Sequence, residues 1–313
     1  MSIQKISLKL PPDLKGRLDQ SVFLAAETQA PKATLSKSFI RKLIVAGGVY
    51  LNGKRCRVAS RAVRGGERVD LYINSELASS SVARPPEKTL PALRVLYEDE
   101  AVICFDKPAG LPTQPTVDDA RANLFEMAKK LVQKKDGPGA YLGLHHRLDR
   151  DTSGVMLLTR DSKFNTFIAD QFKEHLCTKI YVAVLEGSLS KQSDRIETFM
   201  AEVGRVGKIA KFGNVKSGGK KAITEYTVLQ RNSRFSLVEL KILTGRTHQI
   251  RVHMSSLGHP VVGDFLYGSK PEYCKKAGRH FLHAHSLEFT HPVTKNQILV
   301  ESPVPPIFRE WVD

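Results

Sequence analysis

Apolar positions recur along this chain with two periods, and each period predicts an element. Phe39, Ile40, Leu43 and Ile44 fall at helical spacing behind Ser36, a capping residue, and ahead of Gly47-Gly48, which can end a helix. Val49-Tyr50-Leu51 then runs into Asn52-Gly53, the strongest short hairpin-turn signal. Residues 1–16 read as a strand or tail ending at Pro11-Pro12, and a compact unit is expected from Arg17 to Ile73. The stretch 75–91 holds Ser79-Ser80-Ser81 and Pro85-Pro86 and little that could join a core, so it reads as a linker.

A second domain is expected over 92–313. Leu93–Tyr97 and Ala101–Phe105 read as strands around Glu98-Asp99-Glu100, and 120–134 as a helix. Val155–Thr159 begins with four consecutive apolar residues and reads as a buried strand. Phe164, Phe167, Ile168 and Phe172 give a helix from Asp161-Ser162 to His175 an apolar face, better suited to a core than to stacking on bases. Lys179–Leu185 reads as a strand with one conspicuous polar ring, Tyr181. Residues 187–221 are polar and rich in Gly and Lys, so loops or an irregular hairpin are expected. Strands resume at Ala222–Gln230 and Phe235–Leu243, where Val238, Leu240 and Ile242 alternate with Glu239 and Lys241. Ile250, His253, Met254 and Leu257 have helical spacing, His280–Leu287 begins a late strand, and Glu301–Asp313 closes the domain.

Composition narrows the class. A chain of 313 residues with 41 % apolar and 26 % charged residues is ordinary globular material, long enough for two domains. No apolar run reaches the roughly 18 residues of a membrane span, and the N-terminus lacks a signal-peptide core, so no membrane is expected and a cytoplasmic site is. Cys56, Cys104, Cys177 and Cys274 are far apart and read as reduced thiols. The net charge is +16, and residues 1–74 hold fourteen Lys/Arg against five Asp/Glu. More than half of the excess thus lies in under a quarter of the chain, which points to a polyanion, most often nucleic acid. The ten histidines show no spacing that demands a tetrahedral site, and no phosphate-loop motif occurs, so neither metal nor cofactor is expected.

The densest chemistry lies at Leu144–Gly154, where Arg147 and Arg150 flank Asp149, and Asp151, Thr152 and Ser153 follow. Turn preferences alone fit an electrostatically satisfied turn here. The run His146-Arg147-Leu148-Asp149, two further residues, then Thr152-Ser153-Gly154 resembles the signature of the RluA family of RNA pseudouridine synthases. Lys107-Pro108-Ala109-Gly110, Lys179-Ile180-Tyr181-Val182-Ala183 and Thr244-Gly245-Arg246-Thr247-His248-Gln249-Ile250-Arg251-Val252-His253 resemble further motifs of that family in family order. Arg17-Leu18-Asp19, Leu43-Ile44, Gly48-Val49, Leu51-Asn52-Gly53-Lys54 and Gly66 resemble an S4 RNA-binding domain. Ala30–Thr34 lengthens the segment before its helix, and Ser36-Lys37 stands where Ser-Arg is usual.

These resemblances imply an α+β protein: a small S4-like domain and a catalytic domain built on a mixed, largely antiparallel sheet. They imply isomerisation of uridine to pseudouridine in RNA. Asp149 would be the catalytic carboxylate, with Arg246 beside it and Tyr181 against the base. A free aspartate titrates near 3.9, and a neighbouring cation lowers that by roughly 1–3 units, so Asp149 would stay ionised as nucleophile or base. Tyr181, near 10 when unperturbed, would need a shift or a partner to remove the C5 proton. Arg147 would fill the gap left by a flipped uridine, and Lys107 is expected to be architectural or to touch a phosphate. Arg41, Lys42, Lys54, Arg55 and Arg57 are the candidates for RNA contact in the basic N-terminal unit. Large-subunit ribosomal RNA is the expected partner and a monomer the expected state. Transfer RNA, a non-catalytic assembly factor bound to ribosomal RNA, and a metal-dependent RNA hydrolase are the competing readings.

Overall fold

Residues 3–33, 35–74, 92–115, 122–206 and 209–313 are described by a computed structural model of the chain, and they divide into two units, within 3–74 and within 92–313. The expected linker at 75–91 lies outside the described residues.

The first unit runs β1 (Ile3–Lys9), β2 (Lys15–Arg17), α1 (Leu18–Gln29), α2 (Lys37–Ala46), β3 (Val49–Leu51), β4 (Lys54–Cys56), β5 (Ala62–Arg64) and β6 (Arg68–Asn74). Its main sheet has the order β1-β6-β3-β4, with β2 and β5 forming a separate pair. Helix α2 forms where its apolar stripe predicts. The Ser36 hydroxyl accepts the Phe39 N–H at 3.2 Å, and Gly47 ends the helix at φ 85°. Phe39, Ile40, Leu43 and Ile44 are buried in one cluster with Leu8, Leu10, Val49, Leu51, Val69 and Leu71. Losing one such side chain costs about 2–5 kcal/mol. Asn52 and Gly53 both take positive φ, 49° and 78°, as a tight hairpin turn with the twist of its strands requires.

Two features of this unit exceed the sequence expectation. Strand β1 pairs with β6 from Ile3 to Lys9, so the unit begins before Pro11 rather than at Arg17. Helix α1 buries Leu18, Val22, Ala25 and Ala26 and has no side-chain cap at Arg17. Its face rests on alanines, and its start carries no capping signal, so the pattern under-reads it.

The second unit contains β7 (Arg94–Glu98), β8 (Val102–Lys107), α3 (Leu124–Asp136), β9 (Gly143–Leu144), β10 (Ser153–Thr159), α4 (Asn165–Lys173), β11 (Thr178–Glu186), β12 (Ser193–Val206), β13 (Ile209–Asn214), β14 (Lys220–Arg231) and β15 (Phe235–Ile242). It ends with α5 (Gln249–Ser256), α6 (Pro271–Ala277), β16 (Leu282–Thr290) and β17 (Gln297–Glu301). Eleven strands form one sheet in the order β13-β12-β14-β15-β11-β16-β10-β8-β7, with β17 on β16 and β9 on β10. Its named pairs are antiparallel except β10 with β16, so the architecture is α+β on a mixed, largely antiparallel sheet.

Strand β10 shows why the sheet centre reads as a continuous apolar run. Met156 and Leu158 pack with Leu124, Ala128 and Val132 of α3. Val155 and Leu157 face the other way, into a cluster with Ile168 and Phe289. Both faces are covered, so positions 155 to 158 are all apolar. Full burial of each such side chain is worth about 1.5–3 kcal/mol.

Of the two forms expected over 187–221, loops or an irregular hairpin, the hairpin is the one present: β12 and β13 pair antiparallel with a register shift between Glu202 and Gly204, and their strands are longer than the polar sequence suggests. Phe199 and Val203 are exposed among its charged residues, which hid the length of its strands. The expected helix at 120–134 starts at Leu124, behind an Asn123 cap, and runs to Asp136. Among the described residues no helix is long and apolar enough to cross a membrane.

Candidate active site

Asp149 lies on the loop between β9 and β10, and buried contacts from several directions hold that loop. Thr113 clamps Leu148: its hydroxyl donates to the Leu148 carbonyl at 2.8 Å and accepts the Leu148 N–H at 3.1 Å. Lys107, fully buried, donates from Nζ to the carbonyls of Pro108, Leu111 and Arg150 at 3.0, 2.7 and 3.0 Å. It is therefore architectural. Its position in the core and its three carbonyl partners overturn the alternative of a phosphate contact. Burial pushes its ammonium down to about 7, against the pull of Asp151 and Asp149.

Beyond Asp149, Thr152 bonds His280 Nε2 at 2.8 Å and Ser153 bonds His283 Nδ1 at 2.9 Å. Gly154 then joins β10 to both neighbours, opposite Lys107 on β8 and Ala284 on β16. At φ 118° a Cβ here would collide with the Ala284 carbonyl, so only glycine fits. Before Asp149, His146 stacks on Phe172 and accepts the Leu157 N–H at 2.9 Å. Burial pushes His146 down to about 3 and His280 to about 4, so both are neutral rings at neutral pH. Only Arg147 and Arg150 point their charge outward: both are exposed.

The cation on Asp149 is Arg251, not Arg246. Arg251 sits on α5 and donates from Nη1 to Asp149 Oδ2 at 2.8 Å. Its Nε and Nη2 grip Asp264 at 2.6 and 2.9 Å, and its guanidinium lies 4.9 Å from the Tyr267 ring centroid. Burial opposes ionisation of Asp149, but the neighbouring His248, Arg251 and His280 outweigh it and hold the carboxyl below its ordinary range. The histidines contribute only when protonated, and burial holds both down, so Arg251 is the permanent cation. His248 Nε2 also faces Oδ2, at 3.6 Å. Among the described residues Oδ1 takes no hydrogen bond, and Asp149 lines a cavity.

That cavity is about 440 Å³, lined by Arg147, Asp149, Tyr181, Lys179, Arg246 and His248 among others. It has the size of a small-ligand site. Tyr181, half-buried on β11, packs against two apolar clusters. Burial first, and the charge of Asp149 second, push its phenol well above the ordinary range, so at neutral pH it is not a ready base. Arg246 also lines the cavity, but its Nε donates to the Lys221 carbonyl at 2.8 Å. Gln249 shapes its loop by accepting the Arg246 N–H at 3.1 Å and the Thr244 hydroxyl at 2.6 Å. His248 takes φ 57°, a strained conformation for a non-glycine residue costing about 1–3 kcal/mol.

Residues 101–256 match the RNA pseudouridylate synthase family, and residues 34–69 match the S4 domain. An RNA pseudouridine synthase of Mycoplasma pneumoniae is 34 % identical over 279 residues, covering 89 % of this chain and 88 % of the relative. The chain belongs to the RluA family of RNA pseudouridine synthases. Ribosomal large subunit pseudouridine synthase D of Neisseria meningitidis serogroup A is 33 % identical over 313 residues, covering 96 % of this chain and 79 % of that one. Among solved structures, human RNA pseudouridylate synthase domain containing 4 has a TM-score of 0.57 at 25 % identity, over 69 % of this chain and 90 % of that one. The protein is thus an RNA pseudouridine synthase, an isomerase, with an S4 RNA-binding domain.

In the S4 domain of this synthase, Lys42 on α2, Lys54 and Arg55 on β4, and Arg57 after it are exposed. Arg55 donates to the Tyr50 hydroxyl at 2.6 and 2.9 Å. Arg41 differs: it is half-buried and lies 3.6 Å from Asp19, an internal tie between the two helices.

Sequence reasoning passed over Arg251, His248, Lys179 and Tyr267. The first two stand inside the quoted Arg246–His253 motif, and Lys179 opens the Lys-Ile-Tyr motif. Their presence was legible, but which arginine reaches Asp149 depends on how α5 is aimed. Lys179 is only 9 % exposed, lines the cavity and has no acidic partner among the described residues.

Proposed function

We propose that this synthase isomerises uridines of large-subunit ribosomal RNA, with Asp149 acting on a uridine flipped out of its stack. Residues 1–74 would serve as the RNA-binding domain, 75–91 as a linker and 92–313 as the catalytic domain. The observation that carries the reading is the carboxylate itself. Asp149 is held below its ordinary range beside Arg251, is anchored through Oδ2, and lines a cavity of about 440 Å³. A glycosidase-style acid needs the opposite shift.

The reaction breaks the N1–C1′ bond, turns the base, joins C5 to C1′, and moves one proton from C5 to N1 overall. In this reading Oδ1 acts at the sugar while Arg251 holds Oδ2. Tyr181 forms a wall for the turning base, because its raised pKa opposes service as an unaided base. Arg147, exposed at the cavity, replaces the departed base in the stack. Unstacking costs a few kcal/mol, least for looped RNA. Arg147, Lys179 and Arg246 line the cavity without acidic partners among the described residues, which suits a phosphodiester backbone. The Neisseria relative's name supports the ribosomal substrate.

Tritium release from RNA labelled at uridine C5 tests this. Release from large-subunit ribosomal RNA is expected, falling at least about 10³-fold in Asp149→Ala, as for loss of a group that acts at the reacting atoms. Release from transfer RNA alone would move the substrate. Equal release by the variant would remove Asp149 from the chemistry.

A further inference from the structure

Three hydrogen-bonding groups connect the β12–β13 hairpin to the catalytic carboxylate. The backbone N–H of Phe212, on β13, donates to the Tyr267 hydroxyl at 3.0 Å. That hydroxyl lies 2.8 Å from His248 Nδ1. With its oxygen already accepting from Phe212, the phenol has its own proton left to give, and among the described residues Nδ1 is its other polar neighbour. A neutral imidazole carries one proton. If Nδ1 accepts, that proton is on Nε2, and Nε2 is the atom facing Asp149 Oδ2 at 3.6 Å.

We infer that His248 is a positioning residue whose Nε2–H, fixed in that tautomer by Tyr267, steadies Oδ2 of Asp149 beside Arg251 and leaves Oδ1 to react. The inference rests on Asp149 being the reacting carboxylate. The distance of 3.6 Å is long for a hydrogen bond in the RNA-free enzyme, and such contacts commonly tighten when substrate is bound. The opposite tautomer would aim a lone pair at the carboxylate and weaken its hold. A neutral donor suits this role, because a second full cation on Oδ2 would keep Asp149 ionised at the expense of its reactivity.

The surroundings of His248 keep the ring neutral. Burial lowers its pKa, Asp149 raises it, Arg251 on the same helix lowers it, Asp264 raises it and Arg147 from the loop lowers it, with a net downward shift. The two rings packed on it, Tyr267 and Phe212 with centroids 5.5 and 5.7 Å away, are uncharged. Donation from the Tyr267 hydroxyl to bare Nδ1 favours the neutral ring further. His248 holds this place at the start of α5 despite its left-handed backbone.

Two substitutions separate the ends of the ring. His248→Gln puts an amide N–H near the Nε2 position, whereas His248→Asn reaches only the Nδ1 position. Single-turnover rates on saturating RNA are expected within about 10-fold of the unmodified enzyme for His248→Gln and down about 100-fold for His248→Asn, with RNA affinity unchanged in both. Equal losses would overturn the donor role. Tyr267→Phe is expected to lower the rate about 10-fold and to raise the apparent pKa of the acid limb, since Nδ1 then protonates more readily. An unchanged profile would overturn the tautomer lock.

Nitrogen NMR of the histidine-labelled protein reads the tautomer without relying on a folded His248 variant. A protonated Nε2 and bare Nδ1 near neutral pH are expected, and a protonated Nδ1 sinks the proposal. Asp149→Asn, assayed alongside, tests the underlying reading separately. If it keeps full rate, the failure belongs to Asp149, whatever the histidine shows.

Discussion

The loop that carries Asp149 and the basic face of the S4 domain are held in opposite ways. Around Asp149, Lys107 of β8, His283 of β16 and Arg251 of α5 converge with Thr113 and His280 from loops, through hydrogen bonds that are buried or partly buried. On the S4 domain, Lys42, Lys54 and Arg57 stand exposed, and Arg55, also exposed, leans on Tyr50. A reacting carboxylate must sit within a fraction of an ångström of its target, because a small misplacement forfeits large factors in rate. A phosphate-binding lysine needs only to bring charge within about 8–10 Å at physiological salt. On the function proposed above, the difference would separate residues that set the rate from residues that set affinity.

The comparison breaks most sharply at Arg251. Its fork binds Asp264 with two nitrogens and Asp149 with the third, which a lysine cannot reproduce. Arg251→Lys is expected to cut kcat by roughly 10²–10³, about 3–4 kcal/mol of transition-state stabilisation. Arg251→Met goes further. Asp264 is then a buried, uncompensated carboxylate, and stability should fall by about 3–5 kcal/mol, read by chemical denaturation. With burial of Asp149 no longer opposed by Arg251, its pKa rises, so the acid limb of kcat/KM should move to higher pH. A limb that stays in place would show that Arg251 does not hold the charge.

Lys107 sharpens the comparison from the side of stability. An unfolded lysine titrates near 10.4, and this one sits at about 7 in the fold. Between those values the unfolded chain binds the extra proton, so stability rises with pH across that window. The rise is at most about 4 kcal/mol from pH 7 to 10, and the three carbonyls that receive its protons reduce it. Lys107→Met should flatten the rise in denaturation curves taken from pH 7 to 10. It should also lower kcat by roughly tenfold, because Arg150 loses the bond that sets the turn after Asp149. An unchanged slope would mean the ammonium stays charged throughout.

What was legible in the sequence follows the same division. The apolar stripe of α2, the Asn52-Gly53 turn and the buried run of β10 are local patterns, and each formed where its residues predict. Helix α1 was hidden because alanines form much of its buried face, and the length of the β12 and β13 strands, within a segment read as loops or an irregular hairpin, because they carry charges on open surface. Asp149, Tyr181, Arg147 and Arg246 do line one cavity, although the loop, the strand and the α5 junction that carry them lie far apart along the chain. The pairing of Asp149 was not legible. Arg246 and Arg251 stand five residues apart in one motif, and only the direction of α5 decides which guanidinium turns inward. Nor was the interior place of Lys107 legible, since a lysine in a loop motif gives no sign that three carbonyls enclose it.

The smallest effect is expected on the S4 domain, and its form matters more than its size. Replacing Lys54, Arg55 and Arg57 together by glutamine should weaken RNA binding while leaving single-turnover rate at saturating RNA unchanged. Each lost phosphate contact should reduce the slope of log affinity against log salt by roughly 0.7–0.9. Binding titrations at several salt concentrations would show it. A fall in rate at saturation would mean that these residues position the uridine as well as hold the strand. Arg41 and Lys42, adjacent on α2, provide the contrast within one helix. Lys42→Gln should change only affinity, because the side chain is exposed. Arg41→Gln should also lower the unfolding midpoint of the domain, because it removes a cation from the buried Asp19. If both lowered the midpoint equally, the distinction between holding the fold and holding RNA would fail at this helix.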